Sequence, residues 1–320
     1  MTSNIQKPRK AVYFFCADPA KDPVAHSCFE ASKRLCKLVD AGFEVDGHPV
    51  LMLEDSAGNS LYYVRINDVL SHDYAKYLPI LNERFSNFDF AGLVNWHEGK
   101  NAPDAILTVH TTGDVVSGHF GASAPALTRS LMLAIEENRK LAGLEGFTTI
   151  SEATHWSGVV YGGSPELIPR FPVPLVDIEI GSSPASWTNQ AAIDVVARSL
   201  PVVFEAAGAE ANLRVLLCFG GVHLEASFAQ AVLNTKDEYA LAAAHILPNH
   251  WIVEGGYDSP DGLEKLDACV KSVKGGIHAI AFHDNLKGAY KAQLRAFAER
   301  LAVPIFKHQA LRQPQSLPIW

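Results

Sequence analysis

The sequence lacks the long apolar segments of membrane and secreted proteins. No apolar stretch reaches the roughly 20 residues that a membrane-spanning helix needs. The start, MTSNIQKPRK, is polar and has no apolar segment of the kind found in signal peptides. Internal repeats, low-complexity tracts and linkers rich in glycine and serine are also absent. We therefore expect a cytoplasmic protein without membrane contact, with one domain over residues 1–320.

Cysteine is scarce and forms no pattern. The five cysteines are odd in number, and no two of them have Cys-x-x-Cys spacing. Disulfide frameworks and structural zinc sites both need paired or clustered cysteines. We expect the cysteines to be small buried hydrophobic side chains in a reducing compartment.

An excess of basic residues is missing too. Lys and Arg total 27 against 35 Asp and Glu, which gives a net charge of −8. Proteins that hold a long stretch of nucleic acid usually present a basic face, because phosphate contacts supply much of their affinity. The charge balance therefore argues against a long nucleic-acid interface, while it permits local recognition of a nucleic-acid end.

Apolar segments of strand length recur along the chain. They are residues 11–16, 61–66, 90–94, 105–109, 147–150, 175–180, 215–219, 277–282 and 303–306. Segments with helical periodicity alternate with them, at 24–39, 127–141, 193–200 and 290–301. This alternation predicts a layered α/β fold with a mostly parallel or mixed sheet. Residues 42–82 are more polar and irregular, and we expect them to form a looser peripheral hairpin and helix.

Histidines recur where the predicted strands end. They are His97, His110, His155, His223 and His283. In open α/β sheets, ligands bind beyond the carboxyl ends of the strands. Because these histidines are far apart in sequence but share this position, we expect the sheet to gather them along one edge, around one cleft.

Several short motifs resemble those of the archaeal and plant D-aminoacyl-tRNA deacylases. Residues 152–155 (Glu-Ala-Thr-His) are similar to the start of the family's Glu-Ala-Thr-His-His-Gly-Pro. Residues 179–182 (Glu-Ile-Gly-Ser), with Trp187 downstream, look like its Glu-Ile-Gly-Ser and following Trp. Residues 217–223 (Leu-Cys-Phe-Gly-Gly-Val-His) resemble its Gly-Ile-Gly-Gly-Gly-His-Tyr.

Further matches extend this resemblance over most of the chain. Residues 245–248 (His-Ile-Leu-Pro) correspond to the family's Gly-His-Ile-Leu-Pro. His97 and residues 110–113 (His-Thr-Thr-Gly) resemble its Ser-Arg-His and Thr-His-x-Thr-Gly. The motifs follow one another in the family's order from about residue 95 to the C-terminus, whereas residues 1–90 match only loosely.

The chain also departs from the family's motifs. Trp156 stands where the family has its second histidine, and Ser157-Gly158 where it has Gly-Pro. Val222 replaces the third glycine, and Trp96 replaces the arginine before His97. These departures bear on the substrate more than on the fold.

The resemblance implies a three-layer α/β fold similar to peptidyl-tRNA hydrolase and purine nucleoside phosphorylase. It implies hydrolysis of the ester between a D-amino acid and the acceptor end of tRNA, with zinc as the cofactor. Two alternatives stay open. One is a diverged hydrolase of a small ester or amide on the same scaffold, and the other is a non-catalytic protein that binds a nucleotide or a tRNA end.

Glu152, His155 and His223 are the predicted catalytic residues. Histidine and carboxylate suit proton transfer because their pKa values can be tuned toward neutrality. We expect His155 to be a general base or metal ligand, and Glu152 to orient it or to bind the substrate amine. Gly220 and Gly221 before His223 could present N–H groups to an anion, although no Gly-Lys-Ser/Thr follows as in a phosphate-binding P-loop.

The remaining predicted site residues lie in the same motifs. The predicted substrate-binding residues are His97, His110, Thr112, Gly113, Thr154, Glu179, Gly181, Ser182, Gly220, Gly221 and His245. With no His-Glu-x-x-His motif and no cysteine cluster, a zinc site would have to be assembled from distant residues, with His155 and His223 as its expected ligands. We further expect Trp156 to narrow the acyl pocket, and so to favour smaller side chains.

Overall fold

The computed structural model describes residues 7–99, 102–205, 212–234 and 237–320. The strands are β1 (Lys10–Cys16), β2 (Val39–Val45), β3 (His48–Glu54), β4 (Ser60–Ile66), β5 (Phe90–Trp96), β6 (Ile106–Thr111), β7 (Gly113–Asp114), β8 (His119–Phe120), β9 (Thr148–Ser151), β10 (Leu175–Ile180), β11 (Arg214–Phe219), β12 (Leu241–Leu247), β13 (Ala279–Phe282) and β14 (Ile305–Lys307). The helices are α1 (Pro23–Leu35), α2 (Tyr74–Phe85), α3 (Pro125–Leu141), α4 (Ser157–Val160), α5 (Pro184–Trp187), α6 (Gln190–Ser199), α7 (Ala226–Asn234), α8 (Asn249–Glu254), α9 (Pro260–Lys271) and α10 (Gly288–Leu301). Within the described ranges, no helix combines the length and apolar character that crossing a membrane requires.

The larger sheet is mixed. Its strand order is β2-β3-β4-β1-β5-β10-β6-β9. Strands β4, β1, β5 and β10 run parallel to one another, whereas β6 pairs with β10 in the antiparallel sense. The prediction of an α/β fold with a mixed sheet is confirmed.

The smaller sheet has the order β12-β11-β13-β14, and all its pairings are parallel. Strand β12 is missing from the predicted strands. Its sequence, LAAAHIL, is rich in alanine, which has a low strand propensity. Burial on both sides of the sheet, rather than propensity, makes this segment a strand.

Helices cover both faces of the larger sheet, so that the sheet is the middle of three layers. Successive side chains of a strand point to opposite faces. Accordingly, Tyr13 and Phe15 of β1 pack in the apolar cluster that includes α1, α3 and α6. Val12 and Phe14 pack in a second cluster, on the side of α2.

Two of the predicted segments have different boundaries in the structure. The helix expected at 24–39 ends at Leu35, because Cys36 has extended backbone angles and β2 begins at Val39. Residues 42–82 contain most of the β2–β3 hairpin at one edge of the larger sheet, all of β4 and most of α2. The cysteines are all free, and only Cys36 is not fully buried.

Asp22 is a buried N-cap whose titration should be visible in the protein's stability. Its Oδ1 accepts a hydrogen bond from the Ala25 N–H at 2.8 Å, whereas its buried Oδ2 has no hydrogen-bond partner among the described residues. Burial raises the pKa of Asp22 from 3.8 to about 7. Because the folded state then binds this proton more tightly than the unfolded state, its stabilising effect is full below about pH 4 and is lost as the pH rises through 7.

We therefore expect Asp22→Asn to flatten part of the dependence of stability on pH. Asparagine caps helices as well as aspartate does, but it carries no charge. Between pH 5 and pH 8 the wild type should lose about 2–3 kcal/mol more stability than the variant. Urea unfolding of both proteins at the two pH values measures this difference. Parallel pH dependence in the two proteins would show that Asp22 does not titrate in this way.

Candidate active site

Four of the five predicted histidines converge where the two sheets meet. His97 follows β5, His110 lies in β6, His155 follows β9, and His223 follows β11 of the smaller sheet. The rings of His110 and His155 stack with their centroids 3.8 Å apart. The ring of His223 lies 4.8 Å from that of His155.

His283 does not join this group, and that part of the prediction is wrong. Its ring stacks on His308 with centroids 4.0 Å apart, and its Nε2 lies 3.8 Å from Glu225 Oε2. The reason is strand order. His283 follows β13, which lies beside β11 on the side opposite to β12. The segment that carries His155 bonds to the β11–β12 side of the smaller sheet. The Ala153 N–H donates to the His223 carbonyl, and the Thr154 N–H donates to the Ile246 carbonyl in β12.

The histidines also do not lie along one sheet edge as expected. Strand β6 runs opposite to β10, so its carboxyl end points away from the end that His97 follows. In this register His110 faces Asp177 in the middle of β10. Asp177 and Glu179 are two residues apart and share one face of the strand. The site is therefore built on a face of β10, and the smaller sheet closes it with His223.

Glu152 is the centre of the cluster. His223 Nε2–H donates to Glu152 Oε2 at 2.8 Å, and His97 Nε2 lies 3.3 Å from the same oxygen. Burial raises the pKa of Glu152, but the hydrogen bonds from His223 and His97 outweigh burial and hold this pKa well below its usual range. Glu152 is thus ionised. It orients His223 and His97, rather than His155 as the sequence suggested.

His97 is fixed at both ring nitrogens. Ser182 Oγ lies 2.7 Å from its Nδ1. Burial alone would lower the pKa of His97, but the hydrogen bond to Glu152, together with the charges of Glu152 and Glu179, raises it. Ser182 therefore acts on the site by positioning His97.

His155 has the opposite electrostatic character. Its Nδ1–H donates to the Ala153 carbonyl at 2.9 Å, which leaves Nε2 as the basic nitrogen. Burial, reinforced by His110 and His223, lowers the pKa of His155 well below its usual value. The imidazole is neutral at physiological pH, and it lines the cleft described below.

A second acidic pair lies beside His110. The Nε2 atom of His110 is 3.4 Å from Asp177 Oδ2 and 3.8 Å from Glu179 Oε1. Burial raises the pKa of Asp177 to about 8. Burial, together with the charge of Glu152, raises the pKa of Glu179 well above its usual value. Asp177 was missed at the sequence level, although two acidic residues in alternation within an apolar strand are a signal for one polar face.

These side chains form three groups of potential metal ligands. The groups are His97–Glu152–His223, His110–Glu152–His155 and His110–Asp177–Glu179, and within each the ligand atoms lie within 4.8 Å of one another. Several of the atoms are buried without a hydrogen-bond partner among the described residues: His110 Nε2, Glu152 Oε1, both oxygens of Asp177, and Glu179 Oε2. Histidine nitrogen and carboxylate oxygen are ligands that Zn²⁺ accepts, so the donor set fits a zinc ion.

The cluster opens into a cleft of about 820 Å³. Of the predicted residues, His97, His155, Glu179 and His223 line it. Further lining residues, among them His72, Asn95, Tyr161 and Trp251, were not predicted. Trp251 follows the His-Ile-Leu-Pro motif by three residues, but nothing in the sequence around His72 or Tyr161 marks them as part of a site.

Several predicted substrate-binding residues have a structural environment instead. His245 is buried, with Nδ1 2.9 Å from Thr111 Oγ1 and 3.2 Å from Thr154 Oγ1, and with Nε2 2.9 Å from Ser272 Oγ. Burial lowers the pKa of His245 to about 3. Both of its ring nitrogens contact protein groups. His245 and Thr154 therefore join the two sheets behind the cleft and do not face a substrate.

Backbone geometry accounts for the other predicted loop residues. Thr112 forms a β-bridge with His155, and the Gly113 N–H donates to the His155 carbonyl at 3.3 Å, so both hold the segment that carries His155. The Gly181 N–H donates to the Ile106 carbonyl at 2.8 Å, in a left-handed turn with φ of 61° that leads into Ser182.

The expected anion site at Gly220 and Gly221 is wrong. The Gly220 N–H donates to the Leu247 carbonyl at 2.8 Å, and the Gly221 N–H donates to Asn285 Oδ1 at 3.0 Å. Because both N–H groups are used within the protein, they are not available to a phosphate or an oxyanion. The positive φ angles of the two glycines, 83° and 77°, serve the turn that brings His223 to Glu152.

Trp156 does not narrow the acyl pocket as expected. Its side chain is buried in the apolar cluster on the α2 side, with its ring 5.0 Å from that of Tyr74. It is not among the residues that line the cleft. The expected preference for small acyl side chains therefore has no support from this residue.

Comparison with known proteins gives consistent matches to one family. The model of the D-aminoacyl-tRNA deacylase family matches residues 84–306. A D-aminoacyl-tRNA deacylase of Pyrococcus abyssi is 29% identical over 211 residues, which cover 64% of this chain and 69% of the relative. Another, of Pyrococcus furiosus, is 32% identical over 148 residues, which cover 45% and 48%.

A solved structure extends the similarity to the whole fold. A conserved protein of unknown function superposes with a TM-score of 0.73 and 18% sequence identity, and the match covers 96% of this chain and 98% of the other. At this identity the similarity concerns the fold. Because it covers 96% of the chain, it includes most of the residues that lie before the family match begins at residue 84.

Proposed function

Because the chain belongs to the D-aminoacyl-tRNA deacylase family, we propose that it hydrolyses the ester bond between a D-amino acid and tRNA. The observation that carries the proposal is the buried Glu152 carboxylate, bonded to His223 and His97 beside the neutral His155. This arrangement supplies a proton acceptor and a proton donor to one cleft. Family membership favours tRNA over the small ester or amide considered from the sequence.

His155 is the proposed general base. Its Nδ1–H is engaged by the Ala153 carbonyl, so its Nε2 can accept a proton from water as the oxygen attacks the ester carbonyl. The low pKa keeps this imidazole unprotonated before the attack. The proton, once taken, needs a route out of the site, and the adjacent His223 ring offers one.

His223 is the proposed proton donor to the leaving ribose oxygen. Its side chain is one-third exposed, at 34%, which leaves one side of the ring open to the cleft. In the proposed step the ring starts doubly protonated, with its Nε2–H donating to the Glu152 carboxylate. When the bond between the carbonyl carbon and the ribose oxygen breaks, that oxygen takes a proton from His223, and the proton from His155 restores the starting state.

Glu179 is the proposed partner of the substrate's α-ammonium. It lines the cleft, and its Oε2 has no hydrogen-bond partner among the described residues. An ammonium group bound there would satisfy this oxygen and favour the ionised carboxylate. With the ammonium and the carbonyl both fixed, D- and L-amino acids direct their side chains differently, so the walls of the cleft can accept one and exclude the other.

Zinc is part of the proposal because the donor set fits it. His97, Glu152 and His223 would hold one ion, and His110, Glu152 and His155 are a second possible set. A ring nitrogen that binds zinc carries no proton. With an ion in the first set, His155 would therefore stay the base, and the ion would stabilise the leaving oxygen in place of the proton from His223. A bound zinc ion would polarise the carbonyl or lower the pKa of water.

We expect the protein purified without added zinc to contain the metal, and the double variant His155→Ala/His223→Ala to lose most of it. The double variant removes one imidazole from each of two ligand groups. Elemental analysis of both proteins, with circular dichroism to confirm folding, is the measurement. Stoichiometric zinc in a folded double variant would overturn the assignment of the ligands.

The proposed function is tested by incubating the purified protein with D-aminoacyl-tRNA, with and without a chelator. Release of free D-amino acid well above the spontaneous rate is expected, together with a fall in rate after chelation that added zinc reverses. A folded, zinc-restored protein that releases no amino acid would contradict the proposal.

A further inference from the structure

The mouth of the cleft has unusually exposed apolar side chains. Large apolar residues are exposed at few positions in the described part of the chain: Val39, Leu141, Val160, Tyr161, Val222 and Trp320. Half of these, Val160, Tyr161 and Val222, line the one cleft. Their exposed fractions are 86%, 54% and 58%. Exposed apolar side chains that cluster on one surface are typical of binding sites.

Aromatic rings extend this surface on two walls. On one wall, the rings of Tyr161 and His72 lie with their centroids 3.7 Å apart and are tilted by 34°, and Trp96 meets His72 edge-on at 6.0 Å. On the other wall, Trp251 lies 5.4 Å from the ring of His223. Tyr161, Val160, Val222 and Trp251 together are called the aromatic rim below. It adjoins the catalytic histidines, because Val222 directly precedes His223 and α4 begins two residues after His155.

Two contacts fix the start of α4, the helix that ends at Val160 and is followed by Tyr161. The buried Trp156, which immediately precedes α4, packs against Tyr74. Ser157 Oγ–H donates to Ser71 Oγ at 2.7 Å. Because the start of the helix is anchored at these two points, Val160 and Tyr161 are presented to the cleft before any ligand arrives, and stacking costs little conformational entropy.

The charges of the cleft do not suit phosphate. Among its lining residues in the described ranges there are carboxylates, Glu98 and Glu179, but no lysine or arginine. A negatively charged backbone would gain little here, whereas the face of a neutral base stacks well on aromatic side chains. The rim thus matches a planar base better than it matches the phosphate groups of tRNA.

We propose that the aromatic rim binds the adenine of the terminal nucleotide of tRNA, with the base stacked on Tyr161. The inference rests on the proposed function, since an aminoacyl ester is carried on the ribose of that nucleotide. With the ester at His155 and His223, the attached base must lie near the catalytic histidines, and the rim is the apolar surface that adjoins them. The acyl side chain then extends into the remainder of the cleft.

Kinetics of Tyr161 variants separate base binding from acyl binding. Truncation by Tyr161→Ala should raise KM for D-aminoacyl-tRNA by roughly 5- to 100-fold and leave kcat within about threefold, because a stacked base contributes equally to substrate and transition state. Tyr161→Phe keeps the ring and should resemble the wild type. Leu141→Ala removes another exposed apolar side chain, outside the cleft, and should change nothing.

A D-aminoacyl ethyl ester, which has no base, is the second substrate in this experiment. The inference predicts that Tyr161→Ala and wild type hydrolyse it with the same kcat/KM. An equal loss on the ethyl ester and on D-aminoacyl-tRNA would assign the rim to the acyl side chain and overturn the inference. An unchanged KM for D-aminoacyl-tRNA in Tyr161→Ala would also overturn it.

A binding measurement keeps this test independent of catalysis. Adenosine 5′-monophosphate and ribose 5-phosphate share a phosphate and a ribose, but only the first has a base. Calorimetric titration should show binding of adenosine 5′-monophosphate to wild type, binding weaker by at least about fivefold to Tyr161→Ala, and no binding of ribose 5-phosphate. Equal binding of the two ligands would overturn the inference even in an active enzyme. If the wild type hydrolyses no D-aminoacyl-tRNA, the proposed function fails, whatever the titrations show.

Discussion

Replacing His155 by alanine should lower kcat for hydrolysis of D-aminoacyl-tRNA by about 10²-fold or more. Residual activity would come from the remaining groups that bind and orient the ester. The expectation follows from the geometry of the ring, whose Nδ1–H donates to the Ala153 carbonyl and whose neutral state leaves Nε2 as a base. Other groups of the site are poor substitutes: Glu152 is committed to two histidines, and burial favours the protonated form of Glu179.

Single-turnover rates of wild type and His155→Ala at saturating enzyme measure this effect without interference from product release. His48→Ala is a suitable control, because it removes a half-buried histidine that bonds to Asn67 outside the cleft. Circular dichroism must show that both variants are folded. A His155→Ala rate within threefold of the wild type would remove His155 from the proposed mechanism.

Exchanging Glu152 for glutamine should reduce kcat/KM by a similar or larger factor, about 10²-fold or more. The amide has the shape of the carboxylate but no charge, so it cannot stabilise a protonated His223. It also places NH₂ hydrogens where a histidine N–H now donates. Because Glu152 belongs to two of the three groups of potential metal ligands, the variant should bind less zinc as well.

The control for this exchange is Glu30→Gln, which neutralises an exposed carboxylate paired with Lys33. Both variants should be assayed for kcat/KM and for zinc content. A Glu152→Gln enzyme with more than a tenth of the wild-type kcat/KM and a full complement of zinc would show that the charge of Glu152 is not needed.

Long apolar segments make most of the strands predictable, because a strand buried on both faces is apolar throughout. The alanine-rich β12 lacks that signal, and packing between two neighbouring elements makes it a strand. The members of the histidine cluster are also largely predictable, because a polar residue that follows a buried strand often belongs to a site. The place of the cluster in the sheet is not predictable. The antiparallel pairing of β6 with β10 depends on the order of distant strands, which local sequence does not encode.

The roles of individual motif residues were harder to predict than their presence in the site. His245 and Gly221 belong to segments that resemble the family's motifs, but hydrogen bonds within the protein occupy the ring nitrogens of the first and the N–H of the second. Asp177 belongs to no such segment, yet it lies fully buried 3.4 Å from His110. A motif records which residues lie near the site, and only the hydrogen-bond partners show whether they face the cleft.

The stereochemical preference of the enzyme tests the central claim most directly. The substrates are D- and L-aminoacyl-tRNA with the same tRNA and the same side chain, and the readout is the rate of amino-acid release by the zinc-replete protein. A cleft that fixes the ammonium at Glu179 and the carbonyl beside His155 should cleave the D-form at least about 10-fold faster, because steric exclusion of one group is worth this much. Equal rates on the two enantiomers, or no cleavage of either by the folded protein, would contradict the account.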